Sequence, residues 1–250
     1  MEFEGAIFEH RDMEDAIMEY PDNYFDMIVT DPPYGVDFNS DIYDDAPNVV
    51  FTRFHVWLRE MCRVLKPSRH IYLFVPTLHL DRWMKEVRRY FKINNVLATQ
   101  CYHQGSFTAN NNFTFDFQPV IYASKGKPRD FNKVDWIPHS DVWLKDKRNT
   151  HKEDKWTYLY PSYIPYDIIK SNIRGNNFEK REHPNQKNDQ FIQYLIEMGT
   201  EPHEIVGDFF GGIGTTFLAA ILAGRNAVSF EKNYEIYERA CAFIRGHCHG

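Results

Sequence analysis

Short apolar runs alternate with amphipathic stretches along most of the chain. Residues 6–8 and 25–30 predict strands on either side of 13–20, where apolar residues recur at helical spacing. The predicted elements that follow are a helix over 48–65, a strand over 70–75, a helix over 79–91, strands over 93–99 and 118–123, a helix over 189–198, a strand over 204–208, a helix over 217–222, a strand over 226–230 and a last helix from 233. Strands that alternate with helices indicate an α/β fold.

This regular pattern is interrupted once, between residues 128 and 182. That segment is charged, aromatic and poorly periodic, and it carries three of the five tryptophans of the chain. We therefore predict that residues 1–127 and 183–250 form the two halves of one domain, and that 128–182 is an insertion.

The charge follows the same division. The chain carries −6 overall, but residues 125–187 carry +5 and the remainder −11. A basic segment with interleaved aromatic rings suits contacts to phosphates and bases, although a solvated lysine-rich loop has the same composition.

Several function classes are disfavoured by the composition. The N-terminus is acidic, and no run approaches the roughly 18 apolar residues of a membrane helix, so we expect a cytoplasmic chain. Cys62, Cys101, Cys241 and Cys248 lack paired spacing, so we expect free thiols and no metal site.

The turn at residues 31–34 carries the first chemical signal. Pro32 and Pro33 end a buried strand because neither can donate to a sheet ladder. Asp31 and Tyr34 are then held at the carboxyl end of a strand, where open α/β sheets bind ligands. The Asp31 carboxylate and the Pro32 carbonyl can each accept one hydrogen of a planar amine, while the Tyr34 ring stacks on its face. A plain strand-ending turn would have the same sequence.

A glycine-rich turn near the end of the chain carries the second signal. Residues 208–215 read Asp-Phe-Phe-Gly-Gly-Ile-Gly-Thr and lead from a strand into an apolar helix, so the backbone can approach a nucleotide-like ligand closely. Glu231 ends the next strand, 17 positions after Gly214, where a carboxylate can accept both ribose hydroxyls.

These motifs resemble those of the S-adenosylmethionine-dependent amino-methyltransferases that act on adenine N6 or cytosine N4. Asp-Pro-Pro-Tyr at 31–34 looks like their catalytic motif, and 208–215 resembles their Asp-Pro-Phe-x-Gly-Ser-Gly-Thr loop, with Phe209 for Pro and Ile213 for Ser. His-Pro-Asn-Gln-Lys at 183–187 is similar to the segment that packs on the methionine end of the cofactor. The order, with the catalytic turn first and the cofactor loop last, is that of the beta class.

The resemblance implies a fold, a cofactor and a set of site residues. The fold would be a doubly wound, mostly parallel Rossmann-like methyltransferase sheet with circularly permuted motif order and a small basic insertion. The cofactor would be S-adenosylmethionine. The catalytic residues would be Asp31, Pro32, Pro33 and Tyr34, and the cofactor-binding residues Asp12, Lys187, Asp208, Phe210, Gly212, Gly214, Thr215 and Glu231. Asp12 is equally suited to cap the helix that follows it.

The resemblance also implies a reaction, namely sequence-specific methylation of the N6 amine of a flipped adenine in DNA, as in restriction-modification systems. Adenine is favoured because relatives that act on cytosine more often carry Ser at the position of Asp31. The alternatives are a cytosine-N4 methyltransferase and a catalytically silent DNA-binding subunit with the same fold. An enzyme acting on RNA or protein is disfavoured, since those more often carry Asn there.

The insertion would read the target sequence. It is short for a monomer that must both clasp DNA and read bases, which favours a homodimer. The recognition sequence and any restriction partner are not readable from the residues.

Overall fold

The computed structural model describes residues 1–3, 5–35, 45–100, 117–132 and 189–248. The strands are β1 (Glu2–Phe3), β2 (Ala6–His10), β3 (Phe25–Thr30), β4 (Leu65–Phe74), β5 (Lys92–Gln100), β6 (Phe117–Ser124), β7 (Ile205–Asp208) and β8 (Asn226–Glu231). The helices are α1 (Met13–Ala16), α2 (Pro47–Val64), α3 (Leu80–Val87), α4 (Asp189–Gly199), α5 (Thr215–Leu222) and α6 (Tyr234–Cys248), with a 3₁₀ turn at Ile17–Glu19.

The eight described strands form one sheet in the order β1-β2-β8-β7-β3-β4-β6-β5. The pairs from β2 through β8, β7 and β3 to β4 are all parallel. β1 and β6 run against their neighbours. The predicted α/β fold with a mostly parallel sheet is therefore confirmed.

Helices cover both faces of the sheet, as a doubly wound fold requires. One apolar core joins α1, α2 and α3 to one face, centred on Phe25, Ile28 and Ile71. The other joins α4, α5 and α6 to the opposite face, centred on Met27, Val29 and Tyr72. Because neighbouring residues of β3 point into different cores, this strand is buried along its whole length.

The predicted boundary between α2 and β4 is wrong. Lys66 and Pro67 were expected to separate the helix from a strand starting at 70, but β4 begins at Leu65. The register explains how the strand tolerates Pro67, since Phe25 pairs with Leu65 and Met27 with His70. The intervening residues bulge out of the ladder, where a missing N–H costs little.

An ion cluster closes the amino ends of the central strands. Asp26 of β3 is 3% exposed and accepts from Lys66 Nζ at 2.8 Å and from the Ile205 N–H at 3.1 Å. Arg69 lies 3.0 Å from the same carboxylate and also pairs with Glu204. The cluster fixes β3 against β4 and β7 at the edge opposite the predicted site.

The predicted functional segments lie at the opposite edge. The carboxyl ends of β2, β3, β7 and β8 lie side by side there because the four strands are parallel. The predicted catalytic turn follows β3, the glycine-rich turn follows β7, and Glu231 ends β8. Most of the predicted insertion, the loop at 36–44 and Lys187 lie outside the described residues.

Candidate active site

Thr30 joins the two predicted motifs. This last residue of β3 is buried, and its hydroxyl donates to Asp208 Oδ1 of β7 at 2.7 Å. The same hydroxyl accepts the Phe209 N–H at 3.2 Å. The catalytic turn and the glycine-rich turn therefore start from one hydrogen-bonded point, although 178 positions separate Thr30 from Asp208.

The predicted catalytic turn is held by hydrogen bonds between side chains. The Tyr34 hydroxyl donates to Asp31 Oδ1 at 2.5 Å. The Gln118 side-chain amide donates to the Tyr34 hydroxyl. Pro32 is buried, while Asp31 and Tyr34 are half-buried. The carboxylate and the ring that the sequence assigned to one site do lie together.

A second contact fixes the end of the turn. The Gly35 N–H donates to Asp45 Oδ1 at 2.8 Å, and Asp45 is only 4% exposed. Gly35 has a φ of +65°, which favours glycine, and a Cβ there would crowd Pro47 and Val50. Asp45 was not singled out from the sequence, because an acidic loop residue carries no signal of such a bond.

The glycine-rich turn combines close packing with open space. Gly211 packs against Ser229 and Phe8, so a side chain there would not fit. Gly212 has a φ of +51°, and no atom of the described residues lies within 4 Å of where its Cβ would be. Gly214, with a φ of +83°, caps α5, whose first residue Thr215 is buried. A ligand at this edge of the sheet could therefore approach the Gly212 backbone closely.

Glu231 closes the other side of this turn. Its Oε2 accepts the Gly212 N–H at 2.9 Å and its Oε1 the Asn233 N–H at 2.7 Å. Burial raises the pKa of Glu231, and these backbone donors oppose the rise. A carboxylate oxygen has lone pairs for a further donor, so the orientation suits hydroxyl recognition.

Asp208 is a buried acid at the junction of the two motifs. Burial raises its pKa to about 7, against the opposing effect of bonds from Thr30, Phe210 and Thr216, and the charge of Asp31 raises it further. The charge of Asp31 at this edge and the buried acid Asp208 both favour a cationic ligand.

Asp12 caps α1. Its side chain accepts the Glu14 N–H at 3.1 Å, and its Oδ2 lies 2.7 Å from Lys232 Nζ. It follows β2 next to Glu231, whose carbonyl accepts the Arg11 N–H. Asp12 is therefore the N-cap of α1, and its contact with a cofactor remains a prediction.

Phe210 packs at the margin of the core, against helix α2. Its ring contacts Trp57 of α2 with centroids 4.8 Å apart, and the Trp57 Nε1 donates to Glu14 at 2.6 Å. Phe210 is half-buried, whereas its neighbour Phe209 is fully inside the core. The sequence assigned Phe210 to the site but missed Trp57, because a tryptophan in an amphipathic helix indicates only packing.

Other chemistry finds little support in the described part of the chain. No group of three His, Cys, Asp or Glu residues there could hold a metal ion. Cys62, Cys241 and Cys248 are free thiols, as expected, and Cys101 lies outside the described residues. No described helix is long and apolar enough to span a membrane.

Known structures share this fold. The chain superposes on the cytosine-N4-specific PvuII DNA methyltransferase with a TM-score of 0.68 and 15% identity, covering 96% of this chain and 86% of that one. It superposes on M1.HpyAVI, solved as a complex with S-adenosylmethionine, with a TM-score of 0.61 and 19% identity, covering 94% and 98%.

Curated relatives agree with the motifs. Type II methyltransferase M.BamHI of Bacillus amyloliquefaciens is 23% identical over 88% of this chain, which spans 53% of that protein's length. The DNA adenine methyltransferase YhdJ of Escherichia coli (strain K12) is 25% identical over 90% of this chain and 78% of its own. The DNA methylase family model matches residues 25–242, which include both the turn after β3 and the glycine-rich turn. The chain therefore belongs to the DNA methylase family.

Proposed function

We propose that this chain transfers a methyl group from S-adenosylmethionine to the exocyclic N6 amine of an adenine in DNA. The observation that carries the proposal is the bond between Thr30 and Asp208, which joins the start of the turn at 31–34, proposed to bind the amine, to the start of the glycine-rich turn, proposed to bind the nucleoside. Membership of the DNA methylase family supports the reaction class, including methylation of DNA as in restriction-modification systems.

The described residues fit S-adenosylmethionine. The open space at Gly212 leaves room for a nucleoside beside the backbone, and the Glu231 carboxylate is oriented for ribose hydroxyls. The acidic side chains of Asp31 and Asp208 lie at this edge, and such groups favour a positively charged sulfur. When bound, the cofactor supplies an electrophilic methyl group on that sulfur.

The turn at residues 31–34 would orient the amine for the reaction. The N6 lone pair of adenine is delocalised into the ring, so the amine needs reorientation more than deprotonation. Asp31 and the Pro32 carbonyl would accept its two hydrogens and favour a pyramidal nitrogen, while the Tyr34 ring stacks on the base. The two prolines hold these groups in place, so little entropy is lost when the base enters.

The base would have to leave the duplex for its amine to reach this turn, because a stacked and paired base is not accessible to an active site. We propose that residues 128–182 contact the DNA and read its sequence, that the chain acts as a homodimer in the prokaryotic or phage-type cytoplasm, and that its motif order places it in the beta class. The net charge of +5 over residues 125–187, which include this segment, supports the first of these proposals.

The test is incubation of the purified chain with tritiated S-adenosylmethionine and unmodified duplex DNA, followed by nucleoside analysis. We expect label on N6-methyladenine. Label on N4-methylcytosine would show that the methylated base is cytosine and not adenine. DNA binding without any label would indicate a catalytically silent subunit. Sequencing methylated bases in DNA from cells that express the chain would then give the recognition sequence.

A further inference from the structure

Gln118 lies at the same sheet edge as the catalytic turn, but on a strand that no motif marks. β6 runs against β4, with Val120 opposite Phe74, so the amino end of β6 lies beside the carboxyl end of β4. The Val75 N–H continues this ladder by donating to the Pro119 carbonyl at 3.1 Å. From this position the Gln118 side chain reaches across the end of β4 to Tyr34.

The hydrogen bonds have a defined direction. A phenol has one hydrogen, and that of Tyr34 is directed at Asp31 Oδ1, 2.5 Å away. The Tyr34 oxygen must therefore accept from Gln118, whose amide nitrogen can only donate. The result is a chain of donors from Gln118 through Tyr34 to Asp31, in which each bond polarises the next.

We infer that Gln118 is a positioning residue for the methyl transfer, which sets the orientation of the Tyr34 ring and, through its hydroxyl, of the Asp31 carboxylate. The inference rests on the proposed function. A neutral donor suits this role, because it fixes the phenol without neutralising the charge of Asp31, as a lysine would.

The backbone at Gln118 is itself supported. The Thr99 hydroxyl of β5 donates to the Gln118 carbonyl at 3.0 Å, and the two residues are register partners. A donor on a paired strand holds its angle better than one on a loop. An ionised carboxylate can accept about four hydrogen bonds, so the bond from Tyr34 does not prevent Asp31 from accepting one from the amine.

The first experiment is a double-mutant cycle on the rate of methyl transfer. Gln118→Leu should lower kcat roughly 10- to 30-fold and change the KM for S-adenosylmethionine less than about threefold, because it removes a hydrogen bond that orients reacting groups. In the background of Tyr34→Phe, which lacks the hydroxyl, the same change should cost less than about twofold. Equal losses in both backgrounds would overturn the inference.

A pH profile separates positioning from strand stability. Gln118→Glu places a carboxyl group at the same reach, and this group donates only when it is protonated. We expect the rate of this variant, divided by that of the wild type, to rise as the pH falls toward the carboxyl pKa. A flat ratio would argue that the donor has no role.

A third measurement does not depend on activity. In protein labelled at tyrosine ¹³Cζ, the Tyr34 signal is identified by its loss in Tyr34→Phe. Gln118→Leu should shift this signal, whereas the matched change Gln193→Leu, which removes an amide bonded to Glu197 on α4, should not. An unchanged signal overturns the inference whether or not the chain methylates DNA, while a shifted signal without methyl transfer would overturn the proposed function alone.

Discussion

Thr30 and Asp208 show how much of the site depends on single side chains. One hydroxyl both donates to the carboxylate and accepts the next backbone N–H, so two loops share one anchor. In the proposed function, Asp31 and Glu231 have different roles, since the first would bind the amine and the second the nucleoside.

This division predicts opposite effects of two substitutions. Asp31→Ala should abolish methyl transfer with little loss of affinity for S-adenosylmethionine, because Asp31 bonds Tyr34 and, in the proposed function, the amine. Glu231→Ala should weaken cofactor binding first, because it removes the acceptor of the Gly212 N–H and the proposed acceptor of the ribose hydroxyls. Calorimetric titration of the cofactor, together with single-turnover rates, measures both. A large loss of cofactor affinity in Asp31→Ala would contradict the assignment.

Asp208 predicts a dependence of stability on pH. Its pKa rises from 3.8 to about 7 on folding, so the folded state binds a proton that the unfolded state has lost between those values. The free energy of unfolding should therefore fall as the pH rises from about 4 to 7. Asp208→Asn keeps an acceptor for Thr30 without a titrating group.

Urea unfolding of both proteins from pH 4 to 8 measures this effect. The variant should gain stability relative to the wild type as the pH rises, by a few kcal/mol across the window. Two curves that run parallel across the window would show that burial does not raise this pKa.

The turn between β7 and α5 contains two glycines with positive φ and different surroundings. A methyl group on Gly214 would meet Ile244 Cδ1 of α6 at 2.7 Å, whereas one on Gly212 would enter open space at the edge. Each position disfavours an L side chain, but only one of them also disturbs packing.

We therefore expect Gly214→Ala to cost roughly 1–3 kcal/mol of stability and Gly212→Ala about 1 kcal/mol. The loss of affinity for S-adenosylmethionine should be larger in Gly212→Ala than in Gly214→Ala, since the Gly212 methyl group would occupy the space proposed for the nucleoside. Denaturant unfolding and cofactor titration of the two variants form a matched pair. Equal losses of affinity would mean that the cofactor does not approach Gly212.

The elements themselves were largely predictable. Alternating apolar runs located the described strands other than β1 within a few residues, because a central parallel strand must be apolar on both faces. Pro67 misled the boundary of β4, since a bulge can accept a proline that a regular ladder excludes.

The site was predictable only where residues are local in sequence. The turn at 31–34 and the loop at 208–215 each carry their own signal. The bonds from Thr30 to Asp208 and from Gln118 to Tyr34 join residues that are far apart in the sequence. A single polar residue in a strand does not reveal such a partner. Lys187 and most of the insertion stay predictions, since they lie outside the described residues.

Across the whole molecule, the site edge of the sheet is balanced by the ion cluster at the other edge. Asp26→Ala should destabilise the protein by roughly 2–4 kcal/mol, because it removes the acceptor of the Ile205 N–H and of Lys66, and one of the two carboxylates that pair with Arg69. The exposed change Arg89→Ala, which removes a pair with Glu86, should cost less than about 0.5 kcal/mol.

Denaturant unfolding compares these variants, and methyl transfer at low temperature should survive in both, since neither touches the site. A loss of activity in folded Asp26→Ala would show that the amino edge of β3 also sets the geometry of its carboxyl edge.

The position of β3 between β7 and β4 has a consequence for synthesis. Its β7 neighbour lies nearly 180 residues later in the chain, which at typical ribosomal speeds is roughly 10 to 35 s of translation. During that time Phe25–Thr30, an apolar segment with one unpaired edge, resembles the stretches that mispair with other nascent chains. Slow, chaperone-assisted production is thus the condition under which this protein should be obtained folded.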